Sequence, residues 1–345
     1  MNSTWGLIGL DNPIKYLSRA IENGEIFQAY IFNGPEHSGK HTLALKFAQA
    51  LNCVENNPPC GTCESCRRII ENLHPDIQIT EIATDTADIK AKTSITVEQI
   101  RDINHAASLP PYESQYRVFI IEQAEKMTIS AANAFLKTLE EPAAHLVFIL
   151  ITTNLAGLPE TVRSRCQILN IGLAKEHDIR DLLIQNHDTP TEQADLLSRL
   201  CQGRAGWAVS AIDDISILQQ RESDLDAFVK LLPADYKIRF DSANQIAGLM
   251  AAKREDVYSM LASWGSFCRD ILLCKLNITD SVVNLTHFNA ANYLAAQFET
   301  DEVCHLLQSI VKTSKFLGLN ANPKLTLESL MLELPLSGGP INHYA

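Results

Sequence analysis

The sequence predicts an α/β domain, a parallel sheet with helices on both faces, followed by a small helical domain and an all-helical C-terminal part. Three observations carry this. Short continuous apolar runs alternate with helical patterns through about residue 170, as parallel strands buried on both faces do. A glycine-rich loop lies between the first strand and the helix after it. After Gly172 the strand signals stop, and apolar residues recur at helical spacing.

The elements follow in order. A strand at 30–32 ends at Asn33-Gly34, and a helix is expected over 42–51 with Leu43, Phe47 and Ala50 on one face. The stretch 52–74 is rich in cysteine. Residues 76–80 read as strand, and 96–107 as a helix opened by Thr96. The run 117–121 is a buried strand, 130–140 a helix stopped by Glu141-Pro142, 146–151 another buried strand, and 166–171 closes the set. Three short helices are expected at 175–184, 191–201 and 207–219, with the polar stretch 220–223 as a linker. In 254–275, Val257, Met260, Leu261, Trp264, Cys268, Ile271 and Leu272 mark one packed helix face. Val303, Leu306, Leu307, Ile310 and Val311 repeat the spacing, as do Leu325, Leu327, Leu330 and Met331. No internal repeat is evident.

Composition bounds the function. The 345 residues are enough for two or three domains at about 150 each. With 46% apolar and 20% charged residues the chain reads as ordinary globular protein. Lys plus Arg total 29 against 41 Asp plus Glu, a net charge of −12, so the chain is poorly suited to wrapping nucleic acid alone. The longest clean apolar run, 146–151, is far short of the roughly 18 residues that span a bilayer, and the N-terminus lacks a signal-peptide pattern. Of nine cysteines, four crowd between positions 53 and 66, which fits a reduced cytoplasm with a local metal site.

Gly34-Pro-Glu-His-Ser-Gly39-Lys40-His41-Thr42 follows a strand and opens a helix, with the G-x-x-x-x-G-K spacing of a P-loop. Backbone amides of such a loop close around phosphates, and Lys40 would reach the outer ones. The next position should carry a hydroxyl for Mg²⁺. It is His41, and Thr42 comes one residue, about 100° of helix, too late. A hydrolysing P-loop ATPase also ends a later buried strand with Asp and then Glu. Here the strand ends in Glu122-Gln123; the first is one methylene too long, and the second cannot accept a proton. The loop is therefore read either as a weakened nucleotide site or as one that no longer works on nucleotide.

Cys53, Cys60, Cys63 and Cys66 have the spacing C-x6-C-x2-C-x2-C, which suits a closed tetrahedral Zn²⁺ site of structural role. Free thiols and an iron–sulfur cluster are the alternatives. His74 is read as a polar residue before the Pro75 turn. Cys166, Cys201, Cys268, Cys274 and Cys304 are read as packing residues.

Asn133-Ala-Phe-Leu-Lys-Thr-Leu-Glu-Glu-Pro142, the strand 147–151, Thr152-Thr153-Asn154, Leu158-Pro159 and Ser164-Arg165-Cys166 together resemble the bacterial DNA polymerase III clamp-loader AAA+ family. The likeness covers the first 170 or so residues and extends more weakly through 203–208 and Leu325-Thr326-Leu327-Glu328. It implies an AAA+ domain at 1–171 with a zinc-binding insertion at 52–74, a helical lid at 172–219 and an oligomerising collar at 224–345. It also implies gamma/tau and delta subunits as partners, with the sliding clamp and primed DNA reached through the assembly. Within the family the gamma/tau type is the ATPase motor and the delta-prime type a rigid stator. His41, Glu122-Gln123 and Gly206, where a motor would place a sensor arginine, favour the stator. Gly34, Gly39 and Lys40 leave open whether ATP still binds. Arg165 matches the family's trans-acting arginine finger, which completes a neighbour's ATP site; the competing reading is a structural ion pair. Two rivals follow: an active motor using Lys40, Thr42 and Glu122, and an autonomous zinc-dependent DNA-binding module, which the net charge disfavours.

Overall fold

Five apolar runs become the strands β1 (Ala29–Asn33), β2 (Ile77–Thr80), β3 (Arg117–Ile121), β4 (Leu146–Thr152) and β5 (Gln167–Asn170). All neighbours pair in parallel, in the order β2-β3-β4-β1-β5. The computed structural model describes residues 5–82, 94–141, 143–319 and 321–335; Pro142, which the sequence pattern uses as a helix stop, lies outside them. The chain divides into two units, Met1–Ser210 and Ala211–Ala345, and the division falls within one helix.

In the first unit the helices are α1 (Asp11–Asn23), α2 (Lys40–Asn52), α3 (Glu64–Ile70), α4 (Val97–Ala107), α5 (Ile129–Glu140), α6 (Glu160–Arg163), α7 (Glu176–His187), α8 (Thr191–Leu200) and α9 (Ala205–Asp213). Successive strand side chains alternate between faces. Tyr30, Phe32, Val118, Ile120, Val147 and Ile149 pack with Leu43 and Phe47 of α2 on one face. Ile31, Phe119, Ile121, Phe148 and Leu150 pack with Ile100 and Ile103 of α4 and Phe135 of α5 on the other. Every residue of β4 is buried, which is why its sequence is a continuous apolar run rather than an alternation. Thr96 caps α4 with a full capping box to Gln99, a device worth about 1 kcal/mol.

The second unit is helical: α10 (Ser216–Leu231), α11 (Tyr236–Leu249), α12 (Arg254–Lys275), α13 (Phe288–Gln297), α14 (Thr300–Gly318) and α15 (Pro323–Glu333). Trp264 stacks on Phe228, with ring centroids 4.7 Å apart, at the centre of its core. The linker expected at 220–223 is instead the middle of α10, and the helix expected at 207–219 breaks between Asp213 and Ser216. The polarity at 220–223 serves hydrogen bonding. Arg221 is buried and donates to Ser263 Oγ, Ser266 Oγ and Asn284 Oδ1. Glu222 accepts from Thr286, and Gln220 donates to Asp224.

Arg239 of α11 is fully buried, and its guanidinium donates to the carbonyls of Leu231, Leu232, Met331, Leu334 and Pro335. These carbonyls lie at the C-terminal ends of α10 and α15, where the last turn runs out of intrahelical donors; of them Leu231 O also accepts from Ala234 N, and the negative ends of two helices stand in for a carboxylate. Replacing Arg239 with Met keeps the bulk and orphans the carbonyls. Urea unfolding of Arg239→Met is expected to show a loss of about 3 kcal/mol or more.

Candidate functional site

The carboxyl ends of β1, β3 and β4 lie side by side around the glycine-rich loop, where open parallel sheets place their binding crevice. Gly34 follows β1 and donates to Thr152 O at 3.2 Å. A Cβ there would sit 2.3 Å from Ile171 O, so only glycine fits. Gly39, at φ +88°, caps α2 in the left-handed region.

Lys40 opens α2 and is almost entirely buried. Its ammonium donates to Gly34 O at 2.8 Å and to Pro35 O. It thus turns onto carbonyls of its own loop. Burial pushes its pKa down from the ordinary lysine value, while the carboxylates of Glu36, Glu122 and Glu125 pull the other way.

Two of the unexpected motif residues, His41 and Glu122, meet each other. Nδ1 of His41, in the first turn of α2, lies 2.5 Å from Oε1 of Glu122, which follows β3. The hydrogen bond to Glu122 raises the His41 pKa above the ordinary histidine value, against the opposing effect of burial. Thr42 is exposed. Gln123 is exposed and left-handed at φ +46°, opening the short turn Ala124–Lys126. Beyond it, Glu125 accepts from the backbone N and Oγ1 of Thr153, the residue after β4. Sequence reasoning passed over Glu125, whose position becomes informative only when β3 and β4 are adjacent.

Gly206, in the first turn of α9, donates its N–H to His37 O at 2.9 Å. A Cβ on Gly206 would come 3.0 Å from that oxygen, so α9 approaches the loop backbone-to-backbone with no room for a side chain to pass between. Arg204 donates its Nε to Cys201 O within its own segment.

Arg165 follows α6. Its Nη1 donates to Thr161 O at 2.9 Å and to Ser164 Oγ at 3.3 Å, and its Nη2 to Glu140 Oε1 at 2.6 Å. Both partners of this ion pair are substantially exposed.

The four cysteine sulfurs at 53, 60, 63 and 66 lie within 4.8 Å of one another, and Sγ of Cys60 and Cys66 are 3.9 Å apart. Metal–sulfur bonds of about 2.3 Å in a tetrahedron require sulfur separations of about 3.8 Å, so the cluster could hold a metal ion. Backbone N–H groups of Cys63 and Thr62 point at Cys60 Sγ and lower its pKa, with the Thr62 hydroxyl, to about 6. His74 takes no part; it is buried, and its Nδ1 accepts from Asp76 N. Cys201, Cys268 and Cys274 are buried, and Cys166 and Cys304 partly so.

Residues 9–174 match the family described as DNA polymerase III, delta subunit. The chain is 28% identical over 336 residues to DNA polymerase III subunit delta' of Bacillus subtilis, covering 93% of this chain and 94% of that one. It is 37% identical over 164 residues to subunit tau of the same organism, covering 47% of this chain and 27% of tau. It therefore spans less than a third of that tau relative's length. A gamma subunit-related protein from Thermotoga maritima of known structure aligns with a TM-score of 0.41 and 20% identity, over 92% of this chain and 97% of that one. No helix among the described residues is long and apolar enough to cross a membrane.

Because its folded-state pKa is raised, His41 contributes stability that is fully present below about pH 6.5 and is lost as pH rises through the folded value. An NMR titration is expected to place the His41 pKa above the ordinary value and to bring it down in Glu122→Gln. The stability advantage of the native protein over that variant should shrink with rising pH.

Proposed function

Because the chain belongs to the clamp-loader family of bacterial DNA polymerase III, we propose that it is the delta-prime, or stator, subunit of such a loader. In that role it helps place the ring-shaped sliding clamp on primed DNA. The observation that carries this reading is the His41–Glu122 bond. A working P-loop motor holds Mg²⁺ between a loop hydroxyl and a strand-end aspartate. In this chain the residues at those two positions hold each other, and Lys40 is engaged by its own loop. Carboxylates of Glu36, Glu122 and Glu125 close enough to act on Lys40 oppose the entry of a polyanion. The chain's own ATP site, Gly34, Gly39, Lys40, His41, Thr42, Glu122 and Gln123, is degenerate on this reading. The likeness to a delta' subunit along 94% of its length supports the same choice. Intact Gly34, Gly39 and Lys40 favour a second reading, an active gamma/tau-type ATPase, which would need Mg²⁺ held from Thr42 and turnover without a strand-end base.

In the proposed assembly the sheet domain, 1–171, sits beside a motor subunit and lends it Arg165. Residues 172–219 form the lid, and 224–345 form the collar that joins gamma/tau and delta subunits. The work is cytoplasmic. Cys53, Cys60, Cys63 and Cys66 hold Zn²⁺ as a closed structural site for the 52–74 insertion; the sulfur spacing and the N–H groups aimed at sulfur support this.

Two tests follow. In the loader assembled with its motor subunits, Arg165→Ala should slow turnover at the one neighbouring site by about 10³-fold or more, with assembly intact; an unchanged rate contradicts the reading. Metal analysis of the purified chain should find one equivalent of zinc. Cys60→Ser should lose it and expose the 52–74 insertion to protease while the sheet domain stays folded.

A further inference from the structure

The Arg165–Glu140 pair has a geometry that a merely structural ion pair does not need. Glu140 is the last residue of α5, and α5 is fixed to the sheet through buried Ala131, Ala132, Phe135 and Leu139. Phe135 meets Phe148 of β4 edge-on, with centroids 4.8 Å apart. Arg165 follows α6, a short helix with only Val162 buried. The contact therefore ties a long, rotatable side chain on a small element to a carboxylate on a rigid one. The guanidinium is gripped from one side by Thr161 O and Ser164 Oγ through Nη1, and by Glu140 Oε1 through Nη2. Among the described residues, Nε makes no hydrogen bond, and Nη2 has a second N–H beyond the one given to Glu140. Two donors of the fork thus remain for an incoming anion.

We infer that Glu140 is a positioning residue for Arg165: it pre-sets the guanidinium, with two donors free, for the phosphate chain bound by a neighbouring subunit. The inference rests on the proposed role of Arg165 in trans. Holding a catalytic group in its working geometry before the substrate arrives removes an entropic cost from the reaction. An arginine side chain carries several rotatable bonds' worth of rotamer entropy, so the cost is real. The pair itself is half exposed, and such pairs add little to folding stability. Glu140→Gln should therefore fold and assemble normally, which makes it a clean probe.

The experiment measures DNA-stimulated ATP turnover by the assembled loader carrying native chain, Glu140→Gln, Arg165→Ala or both changes. The turnover lost in Arg165→Ala defines the arginine-dependent share. Glu140→Gln keeps an acceptor for Nη2 but removes its charge, and is expected to cut that share about fivefold through kcat, with KM for ATP unchanged. The double variant should be no slower than Arg165→Ala. If Arg165→Ala is slow but Glu140→Gln matches or exceeds the native rate, the positioning role is overturned while the finger reading stands. A double variant slower than Arg165→Ala also overturns it, since Glu140 would then act by another route. If Arg165→Ala itself turns over like the native chain, the finger reading fails and the positioning role with it.

Discussion

A hydrogen bond of 2.5 Å between His41 and Glu122 joins the first turn of α2 to the end of β3. In the sheet order, β4 lies between β3 and the strand that leads into α2, so the bond crosses the carboxyl edge of the sheet. That is where a P-loop enzyme bridges loop and strand end through a metal ion and its phosphates. Here a direct side-chain bond joins the same two elements. The N–H of Gly206 on the loop oxygen of His37 does the same for α9, and Lys40 is satisfied by loop carbonyls. On the proposed reading these internal contacts stand where a motor subunit would contact nucleotide.

Charge completes the contrast between the site the chain keeps and the one it is proposed to serve. Around Lys40 the neighbours that act on its charge are carboxylates: Glu36, Glu122 and Glu125. Among the described residues Arg165 engages one carboxylate, that of Glu140, which leaves donors of the guanidinium available. A cation surrounded by carboxylates has little charge left for an incoming anion, whereas Arg165 keeps two donors of its fork unengaged. On the proposed reading the same chain has a poor site of its own and still presents a working arginine.

Much of the fold was legible because burial writes itself into composition. The strand 117–121 and the helix Arg254–Lys275 appear as read, since each element's pattern comes from packing on two faces or on one stripe. The glycine-rich loop, the cysteine cluster and Thr96 as a cap were legible because spacing alone fixes them. What sequence could not give were pairings between distant positions. His41 and Glu122 each looked like a loss; only the sheet order makes them partners. Glu140 shows no role in the sequence, because its bond to Arg165 joins the end of α5 to the segment after α6. The polar residues 220–223 were misread as a linker because a buried polar network around Arg221 looks, in one dimension, like solvent exposure. Arg239 carried no signal either, since its partners are backbone carbonyls, which every sequence contains.

On the proposed reading this chain has exchanged its nucleotide chemistry for internal bonds. The most direct test is calorimetric binding and steady-state turnover of Mg-ATP by the purified chain alone. A loop closed by its own bonds should give no turnover above background and weak or no binding. Robust turnover, abolished by Lys40→Ala, would contradict it and make the chain a motor.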